Sequence, residues 1–488
     1  MAIPKIAEVV GKYLQRNGWN VPYIPYFEKV QQYLNWYRGD TDWHEYRKWN
    51  GIKRVKRKRY SLDMAKTCCE DLTSLIGVEK IDFTFDETEA KEFCLKVLAD
   101  NRFRINAVQL FELMFALGSC SFVANFLDNQ IKIDYIHGDL IFPLKWDNGE
   151  LTECAFAIVG GDNENTAYQL ITYTLNEQGN YVVKKINLDA SGEIAKPVSQ
   201  LGVALQTGNY VEEEWDTGSS VPPFRFCKTN IVNNYDKTSP LGMSVYGNAI
   251  DTLKAIDETF DSLNNEFLLG KKRIFIKSGL KPSNMFNSVD EFNKSIYSKS
   301  YDTNDVEFYL VEWAGEHEDK PPIYESNMTL RVAEHQQGMD LLLKLLSRKV
   351  GLGDGFYSFD GTNLARTATE VISVNSALFR NIRKQELGIE EVLVGLCRTI
   401  LDLANRNLGT NFNVDQSITI NFDDSIIEDT EKEKTQAMAE YNAGLIDQVE
   451  YFAITRRMTR EQALKFVAEM EATDTMKQVE SILNYGSI

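Results

Sequence analysis

The sequence predicts a helix-rich α+β fold, and three observations carry that expectation. Several long stretches repeat apolar residues at spacings of 3 and 4, the period of a helix packed along one side. Between residues 121 and 188 the period changes to 2, the mark of half-buried strands. The chain has 488 residues, more than one core usually serves, so roughly two to four domains are expected.

Composition narrows the class. Hydrophobic residues make up 43% and aromatic residues 11%, as in a folded protein. The formal net charge is −18 and the sequence pI about 4.9. Nucleic-acid binders carry a basic surplus because Lys and Arg replace counterions on phosphates. The acidic balance therefore argues against a tight, wrapping grip on DNA, though not against DNA passing nearby; charge for solubility explains the same number. The seven cysteines (Cys68, Cys69, Cys94, Cys120, Cys154, Cys227, Cys397) are odd in number and form no C-x-x-C pair, and the four histidines are far apart. Neither a disulfide framework nor a zinc site is expected. No apolar run approaches the ~18–20 residues of a membrane span, and Met1–Gly11 lacks the apolar stretch of a signal peptide. A soluble, cytoplasmically made protein is the expectation.

The elements follow in order. Glu28–Tyr37 reads as a helix within an aromatic-rich opening. Arg47–Tyr60 is densely basic and without an acid; contact with nucleic acid, a solvated face and an ion-pair surface between subunits are all open. Leu62–Leu75, Thr88–Ala99 and Ile105–Leu117 read as helices, the last ended by Gly118. Phe122–Phe126, Gln130–Ile136, Leu151–Val159, Ala167–Leu175 and Tyr181–Leu188 read as one antiparallel meander, with hairpin turn signals at Asp147-Asn148-Gly149 and Gln178-Gly179-Asn180. Val221–Phe226, with two prolines, reads as an edge or connector.

Ser244–Leu269 reads as one long helix with an unbroken stripe of Ile250, Leu253, Ile256, Phe260, Leu263 and Phe267; it would span roughly 39 Å. Its other face carries Asp251, Glu258, Asp261 and Asn265. A small α/β insert follows, with strands at Lys271–Lys277 and Val306–Trp313 and a helix at Val289–Tyr297. Thr329–Val350 is a second long helix, roughly 33 Å. The two can pack as an antiparallel pair with the insert at the tip. Gly351–Asn363 is glycine-rich, and Ala365–Leu408 is a third helical region with bends expected at Gly388 and Gly395. Gln416–Phe422 reads as a strand. Three short helices close the chain, around Glu431–Asn442, Gln448–Arg456 and Arg460–Ala472. Asp447…Glu450 and Thr459…Gln462 are their capping boxes.

Reaction chemistry is scarce. There is no G-x-x-x-x-G-K-[ST], no H-E-x-x-H and no G-x-S-x-G, and Gly351-x-Gly353-x-Gly355 follows a helix rather than a strand, against a dinucleotide fold. No cofactor is expected. Asp423, Asp424 and Glu428 could hold Mg²⁺ in a nuclease, or serve helix starts, where negative charge is favoured.

Helix, small insert, helix, glycine-rich loop and long helix, in this order, resemble the portal proteins of tailed bacteriophages. Phe356-Tyr-Ser-Phe-Asp360 followed by Ala365-Arg-Thr-Ala-Thr-Glu-Val371 is similar to a signature of portals from siphophages of Gram-positive hosts. So are Phe422-Asp-Asp-Ser-Ile426 with Asn442-Ala-Gly-Leu-Ile446, and, near the start, Trp36-Tyr-Arg-Gly39 with Asp63-Met-Ala-Lys66 and Glu70-Asp71. The resemblance implies a ring-forming architecture: a wing over residues 1–243, stem helices at 244–269 and 329–350, a clip at 270–328, a tunnel loop at 351–364, a wing-to-crown helix and strand at 365–423 and a crown at 424–488. It implies a non-enzymatic homo-oligomer, usually of twelve subunits, at one capsid vertex of the virion. Double-stranded DNA would pass through it, and the terminase large subunit, head-to-tail adaptors, capsid and scaffolding proteins would be its partners, with no membrane involved. On that map the tunnel loop holds Gly351, Gly353, Asp354, Gly355, Phe356, Tyr357 and Phe359, whose rings would touch DNA or pack between subunits. Asp251, Glu258 and Asp261 would face the channel or pair with cations of a neighbouring subunit. Lys271, Lys272 and Arg273 would open the clip toward an acidic motor or adaptor.

Overall fold

The computed structural model describes residues 4–49, 53–77, 81–160, 167–189, 191–194, 212–270, 273–277, 308–311, 323–326, 329–353, 355–358, 368–422 and 430–456, with 460, 463–464 and 466–467. Tertiary contacts divide the chain into two units, residues 1–364 with 375–422, and residues 365–374 with 423–488.

The first unit opens with α1 (Lys5–Arg16), which the sequence reading did not mark; Ala7, Val10 and Leu14 share its buried face. After α2 (Phe27–Tyr37) the basic stretch folds as an antiparallel hairpin, β1 (Glu45–Trp49) and β2 (Arg54–Lys58). α3 (Met64–Ile76), β3 (Asp82–Phe85), α4 (Thr88–Asp100) and α5 (Phe103–Leu117) follow. α5 is the most buried of these, with Leu110, Phe111, Met114, Phe115 and Leu117 all inside. Gly118 ends it at φ +92°. A Cβ on Gly118 would lie 2.5 Å from the Gly242 carbonyl, so two glycines let two backbones cross where no side chain fits.

The strands come next: β4 (Ser119–Leu127), β5 (Gln130–His137), β6 (Ile141–Asp147), β7 (Glu150–Gly160), β8 (Ala167–Leu175), β9 (Tyr181–Leu188), β10 (Glu212–Asp216) and β11 (Phe224–Lys228). They do not make the single meander expected. β11-β4-β5 form one sheet and β10-β9-β8-β7-β6 another. The break falls between β5 and β6, a strand the reading had missed. Its physical reason is the shared core: Val123 and Ile136 of the first sheet bury against Phe156, Tyr173 and Val183 of the second, around Phe224. One continuous sheet could not fold these side chains against one another. The tight turns are as expected from sequence, with Asn148 and Gly149 at φ +48° and +84°, the left-handed pair of a two-residue hairpin.

α6 (Ile250–Leu269) begins six residues later than the reading placed it. The preceding stretch is instead pinned into the body: the Val245 amide and the Ser244 hydroxyl donate to the Phe115 carbonyl, and the Tyr246 hydroxyl to the Tyr33 carbonyl. β12 (Arg273–Lys277), β13 (Phe308–Val311) and β14 (Ile323–Ser326) form a small mixed sheet, β12 parallel to β13 and antiparallel to β14. The helix expected at 289–297 lies outside the described residues. α7 (Val332–Val350) returns along α6.

α8 (Ala368–Leu408) is helical through both Gly388 and Gly395. At Gly395 a Cβ would meet the Arg225 side chain at 2.8 Å. β15 (Ile418–Asn421) pairs antiparallel with β3, more than 300 residues earlier in the chain. In the second unit α9 (Thr430–Asn442) and α10 (Gln448–Arg456) pack on one another. Asp447 caps α10 by accepting the Glu450 amide at 2.6 Å, half of the capping box read from sequence. Among the described residues no helix is long and apolar enough to cross a membrane.

Candidate functional site: the α6–α7 hairpin and its root

α6 and α7 run antiparallel, as their end contacts show. The Lys349 ammonium donates to the Thr252 hydroxyl at 2.9 Å. At the other end Arg331 reaches both Glu266 oxygens, at 3.0 and 2.8 Å. The expected stripe is buried at one end only. Leu253 and Ile256 are covered, as are Met339, Leu343, Leu346 and Val350 of α7, whereas Phe267, Leu330 and Val332 are exposed.

The root of α6 is fixed by a buried polar cluster. The Asp257 carboxylate meets His44 Nε2 at 2.8 Å and accepts the Leu62 amide at 2.8 Å and the Ser61 hydroxyl at 3.2 Å. His44 Nδ1 lies 2.9 Å from the Thr41 hydroxyl. Both members of the His44–Asp257 pair are buried, so each needs the other. The sequence marked His44 only as far from the other histidines and did not disclose its partner. The signal available was a carboxylate one residue before Glu258, on the apolar rather than the polar side of α6.

The predicted residues divide. Asp251 and Glu258 are both exposed, seven residues apart and so on one side of α6. Asp251 pairs with Lys254 at 3.0 Å, and that ammonium holds its carboxyl below the usual range. Asp261, three residues past Glu258 and about 60° round the helix from it, is engaged within the chain. It accepts the Tyr60 amide at 3.2 Å and the Asn265 amide at 2.9 Å. Gly351 closes α7 at φ +89°, where a Cβ would strike the Asn381 side chain at 2.5 Å. Gly353 and Gly355 are also left-handed, at +86° and +102°. Tyr357 is anchored inside the chain: its hydroxyl donates to Asp71 at 2.6 Å, its amide to the Ser347 hydroxyl at 3.1 Å. Burial, with Cys68 and Asp71 beside it, pushes that hydroxyl far above its ordinary pKa. The Ser358 hydroxyl donates to Asp340 at 3.1 Å. Phe356 is exposed and sits edge-on to Tyr357. Arg273 begins β12. Lys271, Lys272, Asp354, Phe359, Asp423, Asp424 and Glu428 lie outside the described residues. Among the described residues no three His, Cys, Asp or Glu side chains are grouped to hold a metal ion.

An antiparallel helix pair, rooted in a β-rich body and carrying a small sheet between its distal ends, is the framework of a connector-type structural protein. The family model for "Phage portal protein, SPP1 Gp6-like" matches residues 26–478, and the chain belongs to that family. No curated protein matches. Among solved structures the chain is similar to one in the "Virion of native gene transfer agent (GTA) particle", with a TM-score of 0.41 and 11% identity over 80% of this chain and 89% of that one. A second, from the "Neck of native GTA particle computed with C12 symmetry", gives 0.40 and 12% over 79% and 88%.

Proposed function

We propose that this chain forms a closed ring, of twelve copies, at one vertex of a phage capsid, and that double-stranded DNA enters and leaves through its axis. The observation that carries the reading is the portal-family match across residues 26–478, which takes in the whole α6–α7 hairpin. In this reading the phage is of the siphophage type. The hairpin is the stem, and β12–β14 belong to the clip. Lys271, Lys272 and Arg273 at the clip's start meet an acidic surface of the terminase large subunit during packaging and of a head-to-tail adaptor afterwards. Capsid and scaffolding proteins surround the wing.

The chemistry asked of such a channel is weak contact. Each cation that neutralises a phosphate adds affinity that moving DNA must break. Asp251 and Glu258 therefore face the channel and repel the duplex, at a range set by the ~8 Å Debye length. The segment 351–364 is the tunnel loop in this reading, its glycines giving the backbone freedom where neighbouring loops converge.

Purified protein imaged by negative-stain microscopy, with the mass of the assembly read by native mass spectrometry, tests the ring. Closed rings with an axial hole are expected. Discrete monomers at tens of micromolar, with and without scaffolding protein, overturn the reading.

A further inference from the structure

The basic hairpin β1–β2 has no role in the proposed channel, and its surface is unlike that of the rest of the molecule. Residues 45–59 hold eight of the chain's 53 basic residues and one of its 71 acidic ones, a surplus of seven positive charges that leaves a deficit of 25 on the remainder. The register places Glu45 with Lys58, Arg47 with Lys56 and Trp49 with Arg54 on one face. Glu45 is taken by Lys56 at 2.6 Å. Arg47, Arg54 and Lys58 are exposed and have no acidic partner among the described residues. Trp49 is 60% exposed, and Tyr60, where the hairpin rejoins the body, is 57% exposed. The base of the hairpin is nevertheless rigid: the Arg59 guanidinium lies over the rings of Trp43 and Tyr46 and donates to the Trp43 carbonyl.

The position of this arm is defined by α6. Asp257 and Asp261 hold the arm's root, whereas Thr252 and Glu266 hold α7. At about 100° per residue these two pairs point to opposite sides of α6, about 180° apart. With Lys349 level with Thr252 and Arg331 level with Glu266, Leu341 comes level with about residue 258, the height of the arm's root. Leu341 is 60% exposed and Leu345, one turn on, 42% exposed; both point away from the buried stripe of α7. Opposite flanks of one protomer thus carry, at one height, a basic arm with two exposed aromatic rings and a helix with two exposed leucines.

We infer that the β1–β2 arm docks on a second copy of this chain, with Tyr60 and Trp49 against Leu341 and Leu345 of that copy's α7. The inference rests on the ring reading, because rotation about one axis brings equal heights on opposite flanks together and repeats the contact until it closes. Charge favours the same occupant. Copies of net charge −18 repel, and an arm carrying seven positive charges into an acidic neighbour offsets that repulsion. A duplex held by the same cations would be gripped rather than passed.

A cysteine pair tests the contact in the full-length protein. The seven native cysteines are buried, and Tyr60 and Leu341 are exposed, with Tyr60 bonding through its backbone. The Tyr60→Cys/Leu341→Cys variant under mild oxidation is expected to give a ladder of covalent multimers on a non-reducing gel, and either single variant none. Rings in the micrographs without a ladder overturn the docking and leave the ring standing. A ladder without rings upholds the docking and removes the ring. The variant Arg47→Glu/Arg54→Glu/Lys58→Glu, added to the cysteine pair, is expected to abolish the ladder at 0.15 M salt, on the order of physiological screening. If the ladder persists and only retention of a double-stranded DNA fragment is lost, the cations serve nucleic acid, and the part assigned to charge in the docking falls.

Discussion

The two ends of the α6–α7 hairpin are held by different physics. At the root, Leu253, Ile256, Leu343 and Leu346 are buried, and Asp257 is sealed among His44, Ser61 and Leu62. At the distal end Phe267 and Val332 are exposed, and Arg331–Glu266 is a surface ion pair. One helix pair is thus self-sufficient at its base and, within a single copy, thinly held at its tip. The tip of such a pair gains little from its own contacts, since exposed pairs contribute little and apolar area out of water contributes most.

Changes at the root should therefore be severe and changes at the tip slight in the isolated chain. The largest effect is expected from Asp257→Ala, which leaves His44 and two further donors without an acceptor in a dry site; about 3–5 kcal/mol should be lost, read from the urea midpoint. A loss no larger than that of a surface substitution would dissolve the distinction between root and tip. Leu346→Ala removes a fully buried side chain and should cost about 2–5 kcal/mol, whereas Leu341→Ala, on the outer face of the same helix, should leave the urea midpoint of the unassembled chain in place.

Thiol reactivity sharpens the contrast without a mutation. Burial pushes Cys68 up to about 12 and raises Cys69, Cys120, Cys154 and Cys397 as well, with the Cys94 partner contributing most at Cys397. Native protein at pH 8 should resist alkylation at these positions and react fully once unfolded. Rapid labelling of Cys68 or Cys69 in α3 would mean that the body beside the Tyr357 anchor opens readily.

The smallest effect lies at the tip. Arg331, mainly through its hydrogen bonds, lowers the Glu266 carboxyl from 4.5 to about 2. A depressed carboxylate contributes its stabilisation above its unfolded pKa and loses it as the pH falls through the folded one. This contact should fade between about pH 4.5 and 2. Carbon-detected NMR should place the Glu266 midpoint near 2 and return it to the ordinary carboxylate range in Arg331→Gln, with the urea midpoint at pH 7 lowered by less than in either root variant.

The sequence alone determined the helices, the strand period and the turns, because these depend on a residue's near neighbours. Apolar residues at 3 and 4 made α6, α7 and α8 legible. Left-handed Asn148-Gly149 made a hairpin, and Asp447 three residues before Glu450 made a cap. Charge hid other elements: β1 and β2 carry cations in runs, Arg47-Lys48 and Lys56-Arg57-Lys58, so no period of 2 in apolar residues signalled a strand. Tertiary structure decided what meets what. β15 pairs with β3 and Asp257 with His44 across 213 residues, the strands split into two sheets over Phe224, and Gly395 makes room for Arg225. Local patterning fixes periodicity through short-range sterics, but a pairing between distant segments exists only once the whole chain has enclosed the space they share.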